Sequence, residues 1–220
     1  MEDSLIHVDA ALRAEADDLL VRTGLKDLLS RSGTVHVSGS YALRLMTWRD
    51  LDIYLEAPGM TVSEFFVLGS RITALLDPWK MFFTNNRGRL DAKYPPAMYW
   101  GIRLGDIRKG AWKIDLWGVD SAACRLALAN CDQVAARLTP ESRQVILALK
   151  AQLWHHPAYR DTITSKTIYD AVLDGGVTDL DTFWAFVRSR DSAAPQNAEP
   201  LSKSRGRTPD GTEIPPKGTC

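Results

Sequence analysis

Gly39-Ser40, Asp50-Leu51-Asp52 and Asp115, the last within Trp112-Lys113-Ile114-Asp115-Leu116, are the residues whose types and spacing suit chemistry. Both acidic segments lie in apolar, strand-like runs, where an ionised carboxylate is costly to bury unless a cation accompanies it. On a strand, residues two apart share a face, so Asp50 and Asp52 can reach one metal ion together. Asp115, on another strand-like run, completes an all-oxygen donor set if the two strands are neighbours. With waters and phosphates in the remaining positions, such a set suits Mg²⁺ or Mn²⁺. Gly39 follows an apolar run and permits close backbone approach; Ser40 and the N–H groups after it can cradle a phosphate at a helix start. Taken alone, Asp-x-Asp reads better as an exposed polar face on an edge strand, because such pairs are common. The Gly-Ser turn ahead of it moves the reading towards a metal and phosphate site.

These residues need elements to hold them. Residues 9–31 carry the leucine spacing of an amphipathic helix, with Gly33 as its terminator. Thr34–Ser38 reads as a strand, Gly39-Ser40 as a turn into a short helix around Tyr41–Met46, and Asp50–Glu56 as a strand of period two. Thr61 to Glu64 is a capping box that opens a helix running to about Leu76. Trp79–Thr84 predicts a strand, followed by a turn at Asn85-Asn86-Arg87-Gly88. Residues 97–104 and 111–119 predict a hairpin, with Asp115 on its second arm. After Asp120 the pattern turns helical, over about 121–137, from Thr139-Pro140 onward, and over about 166–173 and 179–189. Beyond Arg190 the chain is rich in Pro, Ser, Gly and charge, and reads as a disordered tail over 191–220.

Composition narrows the function classes. The 220 residues suit one domain, or a small catalytic half with a helical half, and a hydrophobic content of 45% is ample for a core. Lys+Arg and Asp+Glu are 27 each, so the basic excess that accompanies a grip on long nucleic acid is missing. Cys124, Cys131 and Cys220 follow no disulfide pattern and suit a reducing compartment. With no signal-like start and no apolar run of membrane-spanning length, the sequence predicts a soluble, cytoplasmic protein without a membrane partner.

Gly39-Ser40, nine intervening residues, Asp50-Leu51-Asp52 and then Asp115 resemble the signature of the polymerase-beta-like nucleotidyltransferase superfamily. The resemblance covers roughly residues 34–120. It implies an α/β (α+β) fold, with a mixed-sheet catalytic domain over 1–120, a C-terminal helical bundle over 121–190, and the tail beyond. It also implies two Mg²⁺ ions (Mn²⁺ the alternative) held by Asp50, Asp52 and Asp115, and a nucleoside triphosphate, ATP by analogy, as donor. The acceptor expected is a small-molecule hydroxyl, and pyrophosphate is released. Other members act on a protein or a tRNA, as in toxin–antitoxin pairs. A silent nucleotide-binding module is the third reading. Many members carry a second glycine where this chain has Arg44, and Ser where it has Arg49. Arg44 and Arg49 are therefore candidate phosphate contacts, with surface arginine as the plain alternative.

Lys150 joins the nucleotide-binding candidates because related enzymes neutralise phosphate with a lysine from the helical half; a lysine snorkelling at the surface is the competing reading. Lys166 and Tyr169 invite the same guess. Trp48, Tyr94, Tyr99, Trp100, Trp112 and Trp117 surround the motifs, and one or two of them can stack on a base while the rest pack. His155-His156 beside Pro157 marks a helix end rather than a metal site. Cys124 and Cys131, seven apart on a helix, have core spacing rather than a zinc pattern.

Overall fold

The chain opens with two helices, α1 (Glu2–Arg22) and α2 (Leu25–Ser30), where the leucine pattern predicts one over 9–31. The break falls at Gly24, whose φ of 78° is the left-handed backbone that glycine adopts without a Cβ clash. Then follow β1 (Thr34–Ser38), α3 (Gly39–Leu43), β2 (Asp50–Glu56), α4 (Val62–Leu76), β3 (Lys80–Asn85) and β4 (Met98–Arg103). After a short 3-10 turn come β5 (Lys113–Val119), α5 (Ser121–Arg137), α6 (Pro140–Leu153), α7 (Ser165–Leu173) and α8 (Leu180–Ala193). This is a computed structural model that describes residues 2–87, 96–159 and 161–193. Gly88, Tyr94, Cys220 and the expected tail from 194 lie outside the described residues, whereas 191–193 form the end of α8.

Helix boundaries follow local chemistry. Thr61 caps α4 through a box with Glu64, and Thr139 caps α6 with Ser142 and with Pro140 in the first turn. Asp120 accepts from the Ala123 N–H at 2.8 Å to start α5, and Thr164 pairs with Thr167 to start α7. Each cap satisfies N–H groups that the helix leaves open, typically worth about 1 kcal/mol.

The five strands form one mixed sheet in the order β1-β2-β5-β4-β3. Only β2 and β5 run parallel; the other three pairings are antiparallel. The α+β layout of a mixed sheet followed by helices is the one expected from the sequence. Period-two alternation sorts the residues. Leu51, Ile53 and Leu55 of β2 face the same side as Ile114 and Leu116 of β5, where Leu20, Leu25, Leu29, Phe65, Leu68 and Ile72 of the helices cover them. The opposite face carries Asp50, Asp52 and Tyr54 on β2 and Lys113, Asp115 and Trp117 on β5, paired in register in that order.

A second core lies among the C-terminal helices. Ile146, Leu149 and Leu153 of α6, Ile168 and Val172 of α7 and Phe183 of α8 pack together with Leu43, Leu45 and Trp48 from the segment after the Gly-Ser turn. The polar face of the sheet therefore looks towards this helical layer across a cleft. Among the described residues no helix is long and apolar enough to cross a membrane.

Candidate active site

The Gly-Ser turn and the Asp-x-Asp strand touch. Ser38, the last residue of β1, pairs with Asp52, and Gly39 then turns the chain into α3 with φ of 61°. A Cβ on Gly39 would stand 2.1 Å from the Asp52 Oδ2. Only glycine permits this turn to lie against that carboxylate, which explains the glycine at this spacing before the aspartate.

Asp50, Asp52 and Asp115 come together as the spacing suggests. β2 and β5 are hydrogen-bonded neighbours, and Asp52 stands opposite Asp115. A lysine holds two of them: the Lys113 ammonium donates to Asp50 Oδ1 at 2.6 Å and to Asp115 Oδ2 at 2.5 Å. These oxygens therefore lie no further apart than the two bonds laid end to end. The signal was present in the sequence. Lys113 precedes Asp115 by two positions, so it shares the face of that strand, and its register partner is Asp50. The Tyr99 hydroxyl donates to Asp115 Oδ1 at 2.9 Å, and the Arg103 guanidinium stands 3.5 Å from the same oxygen.

The electrostatics follow from crowding. Burial raises the Asp50 carboxyl above its ordinary range, with Lys113 opposing the rise. Burial, then the neighbouring Asp50, pushes Asp52 up to about 7. For Lys113 burial works to lower the value, but the surrounding carboxylates outweigh it and the ammonium is held firmly protonated. Three carboxylates thus share one bonded ammonium and the flank of one guanidinium, and Asp52 has neither as a bonded partner. An all-oxygen donor set short of positive charge fits a hard divalent cation, which would return Asp52 to its ionised form. Asp50, Asp52 and Asp115 are the residues that would hold it.

Two cavities meet at Asp52, each of about 580 Å³. One contains Asp50, Asp115, Lys113 and Arg103, aromatic walls from Trp48, Phe82, Tyr99, Trp117 and Tyr159, and the start of α7 at Thr164, Ser165 and Lys166. The other contains Gly39, Tyr54, Arg137, Tyr169 and the same Lys166. Volumes of this size suit a nucleotide or a small organic molecule.

The other candidates fall in different places. Lys150 does not snorkel. It is fully buried, and its ammonium donates to Ser40 Oγ and to the Leu45 carbonyl, both at 2.6 Å, with the Tyr169 hydroxyl at 3.3 Å. Burial lowers its pKa. Ser40 is itself buried, and its hydroxyl faces this lysine. The Arg49 guanidinium is taken up by Glu15, at 2.6 and 3.0 Å, and by the Gly110 carbonyl. Arg44 is exposed beside a separate small cavity with Asp9, Arg13 and Arg143. Its φ of 56° caps α3 in left-handed backbone, a conformation that glycine adopts without a Cβ clash. Lys166 pairs with Asp170, and Tyr169 is buried.

Among the aromatics, Trp48 stacks on Trp154 with centroids 6.0 Å apart, Tyr99 lies 4.4 Å from Trp117, and Trp100 is buried in the main core. Trp112 packs against that core. His155 and His156 follow the end of α6, as expected. Cys124 is buried beside Val119 and Ala123. Away from the aspartates, it also brings its sulfur within 4.8 Å of donor atoms on His36 and Glu56. The sequence gives no hint of that grouping, because the three residues come from β1, β2 and α5.

A mixed sheet, a Gly-Ser turn against an Asp-x-Asp strand and a third aspartate on the adjoining strand form the arrangement anticipated from the polymerase-beta-like nucleotidyltransferase superfamily. Among solved structures the chain is similar to a cytoplasmic RNA terminal U-transferase, at 13% identity and a TM-score of 0.48, covering 77% of this chain and 51% of that one. It is similar to terminal uridylyl transferase 4 from Trypanosoma brucei with bound UPU, at 13% identity and a TM-score of 0.48, over 77% and 57%. A third similar structure is the Cid1 poly(U) polymerase with Mg 3'-dATP bound, at 14% identity and a TM-score of 0.44, over 63% and 40%. The chain thus spans roughly half the length of the structures it matches. No protein-family model matches the chain, and no curated protein matches its sequence.

Proposed function

We propose that this chain is a metal-dependent nucleotidyltransferase that moves a nucleoside monophosphate, AMP from ATP, onto a small-molecule hydroxyl and releases pyrophosphate. The carrying observation is the convergence of Asp50, Asp52 and Asp115 at a cleft beside the Gly39 turn, from segments 63 residues apart. Exposed carboxylates alone would not be informative. These are pressed together at a charge deficit, and a structural site would not preserve such an arrangement without a ligand to relieve it.

When bound, Mg²⁺ or Mn²⁺ supplies positive charge that lowers the pKa of the acceptor hydroxyl and neutralises the triphosphate. The chain supplies the rest. Gly39 lets the backbone of the turn lie against Asp52, and Lys150 fixes Ser40 through its hydroxyl. Tyr99 and Arg103 orient Asp115 towards the aromatic cavity, where an acceptor or base can lie against Tyr99 and Trp117. The zero net charge and the cavity of about 580 Å³ favour a small acceptor.

Incubation with each α-labelled nucleoside triphosphate, Mg²⁺ and fractionated cell extract tests the reading. Label is expected in the small-molecule fraction with ATP, and absent with an Asp50→Asn/Asp52→Asn double variant. Label on RNA ends would replace the acceptor class while keeping the reaction. No label in any fraction, with the protein folded, refutes the proposal.

A further inference from the structure

Lys113 bonds to two of the three carboxylates that define the cleft, and its side chain is only 12% exposed. Its ammonium lies at hydrogen-bond distance from Asp50 Oδ1 and Asp115 Oδ2, in the space that a cation joining these two residues would need. Divalent ions bind such oxygens at about 2.1 Å, so an ammonium and an ion cannot share one position. Asp52 is outside this pair of bonds. Its carboxylate lies against Gly39, open to both cavities.

Resting on the reading of the three aspartates as a cation site, we infer that Lys113 is the protein's own cation at the Asp50–Asp115 position. Without nucleotide, the chain would take up a single divalent ion, with Asp52 and Asp50 as the residues that would hold it. The second position is filled by a side chain. Three features make Lys113 suited to this. Its register places it directly across from Asp50 on the parallel neighbour strand. Its ammonium lies 5.7 Å from the centre of the ring of Trp48, a residue of the second core, and the face of that ring favours a cation. An ammonium also has three donors, enough to serve both carboxylates at once. The consequence is a site that is preassembled before metal arrives, with Asp50 and Asp115 already drawn together.

Titration of the full chain with Mn²⁺, reading the free-ion signal by electron paramagnetic resonance, measures the count without nucleotide or acceptor. Wild type is expected to bind one Mn²⁺ per chain. Lys113→Met is expected to bind two, and adding Asp115→Asn to that variant should return the count to one. Lys113→Arg keeps the charge and should stay at one. Two ions on wild type, or the same count for wild type and Lys113→Met, overturns the inference. If Lys113→Met does not fold, the wild-type count and Lys113→Gln carry the test. No Mn²⁺ on wild type removes the cation site altogether. The expected counts without any nucleotide transfer would overturn the proposed reaction and leave this inference standing.

Discussion

Replacing Gly39 with alanine separates two effects that the turn combines. Its φ of 61° is left-handed backbone, which a Cβ makes unfavourable by about 1–2 kcal/mol. The added Cβ would also fall 2.1 Å from Asp52 Oδ2, about 1 Å or more inside any tolerable contact. Either the turn or the carboxylate has to move. Gly59 provides the control: its φ is 82°, and a Cβ there meets nothing within 4 Å. Gly59→Ala should therefore lose only the backbone term, about 1–2 kcal/mol by urea unfolding, with nucleotide transfer per folded molecule unchanged. Gly39→Ala should lose at least as much stability, and its transfer rate should fall on the order of 100-fold, the usual consequence of displacing a reacting group by about 1 Å. The assay is transfer of α-labelled nucleotide, normalised to the folded fraction at each temperature. If Gly39→Ala transfers label within about threefold of Gly59→Ala, the contact with Asp52 is not what the glycine is for, and the reasoning fails.

Two further outcomes concern protons. Asp52 in the folded chain keeps its proton up to about pH 7, whereas the unfolded chain releases it near the ordinary aspartate value. The folded state binds more protons over that window, so this group makes stability fall as pH rises through it, by at most about 1.4 kcal/mol per unit. Urea unfolding of metal-free protein should show Asp52→Asn gaining on wild type between about pH 5 and pH 7.5, with the gain shrinking when Mg²⁺ is added. Lys150 shows the opposite sign. Burial lowers its folded pKa, so the unfolded chain binds the extra proton, and wild-type stability should rise relative to Lys150→Met as pH climbs towards the normal lysine range. Parallel unfolding curves for the two proteins at neutral and alkaline pH would contradict this.

Much of the site was legible because strands have a period of two. That period put Asp50 and Asp52 on one face and Leu51 and Ile53 on the other, and the structure keeps this division. The helix starts at Thr61 and Thr139 were readable from capping chemistry, which acts over three residues. What the sequence withheld depends on contacts between distant segments. Nothing local says that Lys150 is sealed beneath Ser40, 110 residues away, rather than lying along the surface. Nothing local says that Glu15 claims Arg49. Lys113 is the intermediate case. Its face could be read from Asp115, but its partner Asp50 required knowing that β5 pairs with β2 and in which register. The break at Gly24 is not legible because the leucine spacing continues across it, while a single left-handed residue separates the two helices.

Leu43, Leu45 and Trp48 leave the Gly-Ser turn and enter the core built by α6, α7 and α8. The segment that connects the turn to the Asp-x-Asp strand is thus anchored in the helical layer as well as in the sheet, where the Arg49 carbonyl accepts from the Lys113 N–H. Packing therefore crosses from the segment after the Gly-Ser turn to the helices beyond residue 120. Remodelling the helices, whether by drift or by design, would be transmitted first to the backbone between Gly39 and Asp50. Repacking of the helices would therefore reach the turn through residues 43 to 48, whatever happened at the aspartates.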